Sequence, residues 1–159
     1  MGATADYLAI DLGASSGRGV VGSFDGQRLT LREVHRFPNT PLERPTGMHW
    51  DVARLFGEVK AALARAASGG TLAGIGVDTW GVDYGLIDAG GSLLAPPHHY
   101  RDPRTHGIMQ EAFASLPRAR LYERTGIQFL EFNTLYQLLA ERKGSRLDSA
   151  ATLLFTLHF

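Results

Sequence analysis

The succession of strand-like and helix-like segments constrains the fold of this chain more than any other feature of its sequence. Five runs have the apolar or alternating pattern of β-strands: residues 7–12, 18–24, 29–37, 72–77 and 84–87. Between the third and fourth runs, Asp51 precedes apolar side chains spaced three and four residues apart, which predicts a capped helix packed on a sheet. An Asp25-Gly26 turn joins the second run to the third, so the first three strands are predicted to form an antiparallel meander.

Two of these elements have a definite predicted face. Alternation in the third strand places Leu29, Leu31 and His35 on one side. The predicted buried positions of the helix are Val52, Leu55, Phe56, Val59, Leu63 and Ala66. Residues 38–47 contain three prolines and predict a loop.

The last third of the chain is predicted to be mainly helical, and its helix boundaries have local signals. These signals are a cap and first-turn proline at Asp102-Pro103, a start at Pro117 with a stop at Gly126, and a capping box of Thr134 and Gln137. Residues 151–155 predict a further strand. The element order resembles that of an α/β domain of the ribonuclease H-like type, which actin and hexokinase share, and by this analogy we expect a mixed five-stranded sheet flanked by helices.

Composition excludes several classes of function. The chain has 159 residues, with 16 basic and 16 acidic side chains, so no net charge favours nucleic acid or an anionic membrane. It has no cysteine, which excludes disulfides and thiolate metal sites. Its apolar runs are shorter than the roughly 20 residues of a transmembrane helix, and residues 1–6 lack the pattern of a secretion signal. We expect a cytoplasmic protein.

A glycine loop between the first two predicted strands could cradle phosphate groups. Gly13 and Gly17 allow close backbone approach, Ser15 and Ser16 supply hydroxyl groups, and Arg18 offers a guanidinium fork. At the end of the first strand, Asp11 could hold Mg²⁺ through its water shell. The loop has neither the Walker A nor the GxGxxG pattern, and a simple hairpin turn remains an alternative.

Polar and aromatic side chains cluster again after the fourth predicted strand. Trp80 offers an apolar face to a sugar, and Asp78 and Asp83 could accept hydrogen bonds from its hydroxyl groups. In the alternative interpretation Trp80 fills the core and the aspartates cap turns. Farther along the chain, Gln128 and Asn133 are plausible sugar contacts.

The segment His98-His99-Tyr100-Arg101-Asp102 places two histidines side by side. Adjacent side chains rarely converge on one ion, so we do not predict a metal site there. We expect Arg101 and Asp102 to form an ion pair that orders the loop.

Several segments together resemble the FGGY family of carbohydrate kinases, and within it the group that phosphorylates L-rhamnulose. They include AIDLGASSGR, GVDTWGVDYGLID and RTGIQFLEFNTLYQL, and the resemblance runs from about residue 7 to residue 139. It implies ATP-dependent, magnesium-dependent phosphorylation of L-rhamnulose at its 1-hydroxyl in rhamnose breakdown. L-fuculokinase-like relatives are the nearest rival.

The resemblance also implies roles for particular residues. The residues that would bind the ATP phosphates are Ala14, Ser15, Ser16, Gly17 and Arg18, with Arg18 near the γ-phosphoryl group. Gly81 would touch the ketose through its backbone, with Trp80, Asp83 and Gln128 nearby.

In kinases of this family the general-base aspartate and the adenosine-binding segment belong to a second domain. We therefore expect residues 1–159 to be an amino-terminal kinase domain without its partner domain, truncated near residue 155 and inactive alone. Two other hypotheses stay open: a stand-alone nucleotide- or sugar-binding module, and a glycosidase using Asp78 and Asp83 as paired carboxylates.

Overall fold

The computed structural model describes residues 4–155, which form two compact units. The first unit comprises residues 4–40 and 51–81, and the second comprises residues 41–50 and 82–155. The strands are β1 (Ala5–Leu12), β2 (Ser16–Phe24), β3 (Leu29–Pro38), β4 (Leu42–Arg44), β5 (Gly47–His49), β6 (Leu72–Thr79), β7 (Tyr84–Ile87) and β8 (Thr152–Phe155). The α-helices are α1 (Val52–Ala67), α2 (Ile108–Ser115), α3 (Arg118–Thr125) and α4 (Thr134–Glu141), with 3₁₀ turns at Pro103–Thr105 and Arg146–Ser149.

The first unit is a four-stranded mixed sheet with the strand order β3-β2-β1-β6. The first three strands are antiparallel, as the meander predicts, and β6 runs parallel to β1. The α/β class with a mixed sheet and helices is therefore confirmed. The fifth predicted strand, residues 84–87, is present as β7. Its predicted place in a five-stranded sheet is wrong for the described residues, because β7 pairs with β8 in a separate two-stranded sheet.

Helix α1 supplies the other half of the first unit's core. Its cap is confirmed, since an Asp51 carboxylate oxygen accepts from the backbone N–H of Arg54 at 3.0 Å. The core consists of Leu8, Ile10, Val21, Ala62 and Ala66. The predicted apolar face is partly wrong: Phe56 is 62% exposed and Leu63 is 37% exposed. The small Ala62 faces the sheet instead, and Gly19 of β2 gives it room, because a Cβ on Gly19 would lie 2.8 Å from the Ala62 Cβ.

Strand β3 also departs from the predicted alternation. Gly19 pairs with His35 while Val20 pairs with Glu33, so Val34 is an extra residue in the ladder. Such a bulge moves the side chains beyond it to the other face. As a result His35 is buried, whereas Leu31 is 69% exposed.

The second unit contains two small sheets and three short helices. Residues 38–47 are not a plain loop, because β4 and β5 form a hairpin whose turn precedes Gly47, at φ +115°. Glycine accepts this backbone conformation at little cost. Two of the prolines, Pro38 and Pro41, precede β4 and Pro45 lies in the turn, so none interrupts the pairing. Ile108, Ala112 and Tyr136 form the buried centre where α2 packs on α4.

The predicted helix boundaries of the second unit are confirmed in part. An Asp102 carboxylate oxygen caps the 3₁₀ turn through the Arg104 N–H, at 2.9 Å, but α2 starts afresh after Gly107, at φ +79°. Helix α3 starts after Pro117 and ends at Gly126, as predicted. Residues 156–159 lie outside the described range. The truncation predicted near residue 155 therefore stays a prediction. Among residues 4–155, none of the helices combines the length and apolar character that a membrane crossing requires.

Candidate functional site

The glycine loop closes the hairpin between β1 and β2. The Gly13 N–H donates to the Ser16 carbonyl at 3.0 Å, and Asp11 pairs with Arg18 directly below the turn. The Arg18 Nε donates to an Asp11 carboxylate oxygen at 2.8 Å, with both side chains about half exposed. The predicted phosphate-binding residues all lie here: Ala14, Ser15, Ser16, Gly17 and Arg18. Ser15, Ser16 and Arg18 are exposed, so their polar groups are available to a ligand.

Asn39, which the sequence analysis did not single out, holds this loop in place. Its Nδ2 donates to the Gly13 carbonyl at 2.9 Å, and its backbone N–H donates to the Ser15 carbonyl at 2.9 Å. Arg54 of α1 donates to the Asn39 side-chain oxygen at 3.4 Å. Asn39 is 3% exposed. An asparagine after a proline is typical of turns, and no sequence signal distinguishes this one.

Gly17 has a reason for being glycine that involves no ligand. A Cβ at this position would fall inside the ring of Phe37 on β3. The absent side chain therefore lets the buried Phe37 pack across β2. Gly13 is also constrained, because its Cβ would lie 2.8 Å from the Ser16 carbonyl oxygen.

The segment that follows β6 begins at the same edge of the sheet as the glycine loop. Leu12 of β1 is the parallel partner of Thr79 of β6, so both strands finish at the same level. Trp80 and Gly81 come next in the chain. The ends of parallel strands are where α/β sheets commonly bind ligands.

Two carboxylates are neighbours at this edge. Asp11 of β1 pairs with Asp78 of β6, and directly paired residues project from the same face of a sheet. Adjacent strands lie about 4.8 Å apart, which is close enough for both groups to serve one hydrated cation. Across the described residues, no three His, Cys, Asp or Glu side chains are grouped as ligands of one metal ion. The sequence analysis considered Asp78 as a sugar contact, a turn cap or a glycosidase carboxylate, but not as a metal ligand.

In the second unit, Asp83 is the centre of a buried hydrogen-bond network. One carboxylate oxygen accepts from Trp50 Nε1 at 2.6 Å, and the other accepts from Gln137 Nε2 at 2.9 Å. Val82 has φ +71°, and Thr134 Oγ1 donates to its carbonyl at 2.7 Å. The predicted capping box of Thr134 and Gln137 is therefore wrong, because both side chains bind the segment before β7 instead of the helix end. Asp83 is 1% exposed, a position suited to holding the segment in shape.

Gln128 lies in the exposed segment between α3 and α4. Its backbone carbonyl accepts from Asn133 Nδ2 at 2.8 Å, which leaves the Gln128 amide on the surface. Beside it is a mainly apolar cavity of about 210 Å³, lined by Val82, Leu121, Thr125, Ile127, Phe129, Asn133, Thr134, Leu135 and Tyr136. The structure therefore brings Asp83 and Gln128 into the second unit and Trp80 and Gly81 into the first.

The histidine segment is ordered by stacking rather than by the expected ion pair. Asp102 accepts from the backbone N–H groups of Met48 and Arg104, at 2.6 and 2.9 Å, so it is not paired with Arg101. Arg101 instead lies over the Tyr100 ring, and His99 stacks on Trp50 with ring centroids 3.9 Å apart. Burial, together with the nearby Arg101 and opposed by Asp102, lowers the pKa of His99 to about 4.

Comparison with known proteins finds sequence relatives named rhamnulokinase. Rhamnulokinase from Klebsiella pneumoniae (strain ATCC 700721 / MGH 78578) is 49% identical over 150 residues, covering 91% of this chain and 30% of the relative. Rhamnulokinase from Bacteroides thetaiotaomicron is 41% identical over 153 residues, covering 94% of this chain and 32% of the relative. The chain thus spans about 30% of the length of the curated relatives it matches.

Solved structures share the fold at low sequence identity. Gluconate kinase from Lactobacillus acidophilus superimposes with a TM-score of 0.80 at 16% identity, covering 96% of this chain and 31% of that one. Xylulose kinase from the same organism gives 0.79 at 16% identity, covering 93% and 31%. The family model described as "FGGY family of carbohydrate kinases, N-terminal domain" matches residues 6–156. This chain therefore belongs to the FGGY family of carbohydrate kinases and corresponds to sequence from that family's N-terminal domain.

Proposed function

We propose that this chain is the phosphate-binding part of an ATP-dependent kinase that phosphorylates L-rhamnulose at its 1-hydroxyl, in L-rhamnose catabolism. The observation that carries the choice of sugar is the 49% identity to a rhamnulokinase along 91% of the chain. The chemistry itself is supported by the sheet edge that joins the glycine loop to the end of β6.

The glycine loop fits the phosphate groups of ATP. Phosphoryl transfer depends mainly on positioning and on stabilising negative charge, which exposed hydroxyls and an arginine at a fixed hairpin turn can supply. Ser15 and Ser16 would donate to phosphate oxygens. Arg18 donates to Asp11 through its Nε, and its two terminal nitrogens make no hydrogen bond to the described residues. These two nitrogens would face the γ-phosphoryl group.

The carboxylate pair fits a hydrated Mg²⁺ ion. Mg²⁺ commonly keeps several waters and uses one or two protein carboxylates together with substrate phosphates. Asp11 would hold the ion, and we add Asp78 as a second carboxylate because it is the partner of Asp11 across β1 and β6. When bound, ATP supplies the phosphoryl group and Mg²⁺ neutralises its charge.

Several residues are proposed to bind or position the sugar. We propose that Gly81 touches the ketose through its backbone, that Trp80 offers an apolar face nearby, and that the exposed Gln128 amide binds a hydroxyl. Asp83 would act as a positioning residue, because its carboxylate is buried and bonded to Trp50 and Gln137. The same burial argues against the glycosidase hypothesis, which needs Asp83 as a reacting carboxylate.

A chimera tests this proposal. The matched segment of the Klebsiella pneumoniae relative is replaced by residues 6–156, and ADP release is measured with L-rhamnulose, L-fuculose, D-xylulose and glycerol. We expect the highest kcat/KM with L-rhamnulose, and no turnover by the 159-residue chain alone. Arg18→Ala should lower kcat of the chimera about 10²–10³-fold.

Arg28→Ala is the matched control, because Arg28 is exposed and lies in the turn after β2. It should leave kcat unchanged. A preference for L-fuculose would replace the proposed sugar by the rival one. A folded chimera that releases no ADP with any of the four sugars would contradict the kinase proposal, and ATP binding lost in Arg18→Ala would then favour a binding module.

A further inference from the structure

The second unit contains a cavity of about 480 Å³ that the proposed kinase site does not use. Its lining is strongly basic. The ionisable side chains around it are Arg44, His49, His98, Arg104, Glu141 and Arg146. They come from the β4–β5 hairpin, the histidine segment, the 3₁₀ turns and the end of α4.

The positive charges of this cavity exceed the negative ones. Its single carboxylate, Glu141, is already taken: Arg146 Nε and Nη2 donate to its two oxygens at 2.7 and 2.8 Å. Arg44 and Arg104 form no ion pair with any carboxylate of the described residues. Two guanidinium charges are therefore left without a counter-charge.

Two residues that line the cavity, Arg104 and His98, also have buried polar atoms that lack hydrogen-bond partners. Arg104 Nη2 donates to Gln137 at 3.0 Å, but its Nε and Nη1 have no partner in the described part of the chain. The Nδ1 atom of His98 is likewise unpartnered, in a side chain that is only 8% exposed. Burying guanidinium N–H groups without acceptors costs free energy. The basic side chains that line the cavity therefore lack an acceptor-rich, negatively charged partner.

We propose that this cavity binds a dianionic phosphate group, either inorganic phosphate or the phosphate of a small phosphomonoester. The two unmatched guanidinium groups balance a dianion, and arginine forks suit the geometry of phosphoryl oxygens. This site is separate from the proposed ATP loop, which belongs to the first unit. A bound phosphate would accept hydrogen bonds from the exposed Arg44 guanidinium and would lie beside the charge of Arg104, which has no carboxylate partner among the described residues.

The electrostatics of His98 offer a local reporter of binding. Burial, together with the nearby Arg104, His49 and Arg146 and opposed by Asp102, lowers the pKa of His98 to about 4. A phosphate in the cavity would offset these positive charges. It should therefore raise the pKa of His98 and shift its ring signals.

The test is a titration of the 159-residue chain with inorganic phosphate at constant ionic strength. Calorimetry gives the Kd, and NMR follows the His98 ring signals, assigned by comparison with His98→Gln. We expect saturable binding, with the His98 shift following the same Kd. A parallel titration with glycerol 3-phosphate separates the two sources: tighter binding than phosphate assigns the cavity to a phosphomonoester, and equal or weaker binding assigns it to phosphate itself.

Three variants make the result specific. Arg44→Gln, at an exposed position, should weaken binding about tenfold. Arg142→Gln removes the same charge beside Glu141 but does not line the cavity, so it should change Kd less than about twofold. Arg18→Gln should leave the His98 response intact, which separates this site from phosphate bound at the glycine loop.

No saturation below about 10 mM phosphate would overturn the proposal. So would equal losses of affinity in Arg44→Gln and Arg142→Gln, which would mean diffuse attraction, or a His98 response that disappears with Arg18. None of these outcomes bears on the kinase proposal, because that proposal is tested by ADP release in the chimera.

Discussion

Replacing Asn39 by alanine should loosen the glycine loop while leaving the sheet intact. The substitution removes the Nδ2 donor to the Gly13 carbonyl, at 2.9 Å, and the acceptor for Arg54, at 3.4 Å. It keeps the backbone bond from residue 39 to the Ser15 carbonyl, also 2.9 Å. The strand pairing of β2 with β3, which ends at Pro38, does not depend on this side chain.

The size of the effect follows from the two lost bonds. A neutral hydrogen bond contributes a net of about 1 kcal/mol to stability, and a buried polar group left without a partner costs about 1–3 kcal/mol. Gly13 is only partly buried, so water can reach its carbonyl, and the 3.4 Å contact with Arg54 is at the limit of a hydrogen bond. We therefore expect a loss of about 1–2 kcal/mol in the free energy of unfolding.

Urea unfolding and hydrogen exchange measure this effect. If the loop opens more easily by about 1.4 kcal/mol, the amides of residues 13–16 should exchange about tenfold faster. Asn133→Ala is the matched control, because Asn133 makes the same kind of bond, from Nδ2 to the Gln128 carbonyl at 2.8 Å, in the second unit. It should lower stability without changing exchange at residues 13–16. Unchanged exchange at residues 13–16 in Asn39→Ala would refute the conclusion that the Asn39 side chain holds the loop.

Two further predictions concern packing and pH. Gly17→Ala should destabilise the chain by about 1–3 kcal/mol, since its Cβ would enter the Phe37 ring. Its control is Gly57→Ala, within α1 and with open space around it, which should stabilise the chain by about 0.5–1 kcal/mol. Both are measured by urea unfolding, and similar effects would refute the packing argument. Because the pKa of His99 is about 4 when folded and about 6.5 when unfolded, the unfolded chain binds more protons between these values. The free energy of unfolding should thus fall as pH drops from about 6.5 towards 4, and about 2 kcal/mol of the loss at pH 5 should be due to His99. The variant His99→Gln should remove this part of the pH dependence, whereas His106→Gln, at an exposed position, should leave it unchanged.

The sequence predicts the main strands and α1 well because their signals are local. Strands of the first sheet are short apolar or alternating runs bounded by glycine or aspartate, and the α1 cap is a single side chain, Asp51. The errors arise where contacts between residues distant in sequence determine the local structure. The bulge at Val34 is a property of the β2–β3 pairing, and no pattern within β3 reveals it. The pairing of β7 with β8 joins segments more than 60 residues apart, which local periodicity does not encode.

The candidate site divides in the same way. Ser15, Ser16 and Arg18 are adjacent in the chain, so their residue types alone indicate a phosphate loop. The residues that hold such loops are polar side chains buried by tertiary contacts, as Asn39 and Gln137 are here. Thr134 and Gln137 illustrate the ambiguity: the spacing of a capping box is real, but the structure uses both side chains to bind the Val82 carbonyl.

The position of β1 and β2 in the sheet suits the phosphate-binding role proposed for this edge. β1 and β2 are the two central strands of this sheet, each hydrogen-bonded on both sides, so Asp11 and the glycine loop extend from the middle of the sheet. Charge stabilisation is most effective when the donors need no rearrangement as the reaction proceeds. Asn39 extends this rigidity from the strand to the loop, and Arg54 links it to α1. The loop can therefore expose Ser15, Ser16 and Arg18 to a ligand while its backbone remains fixed, which is the arrangement that phosphoryl transfer requires.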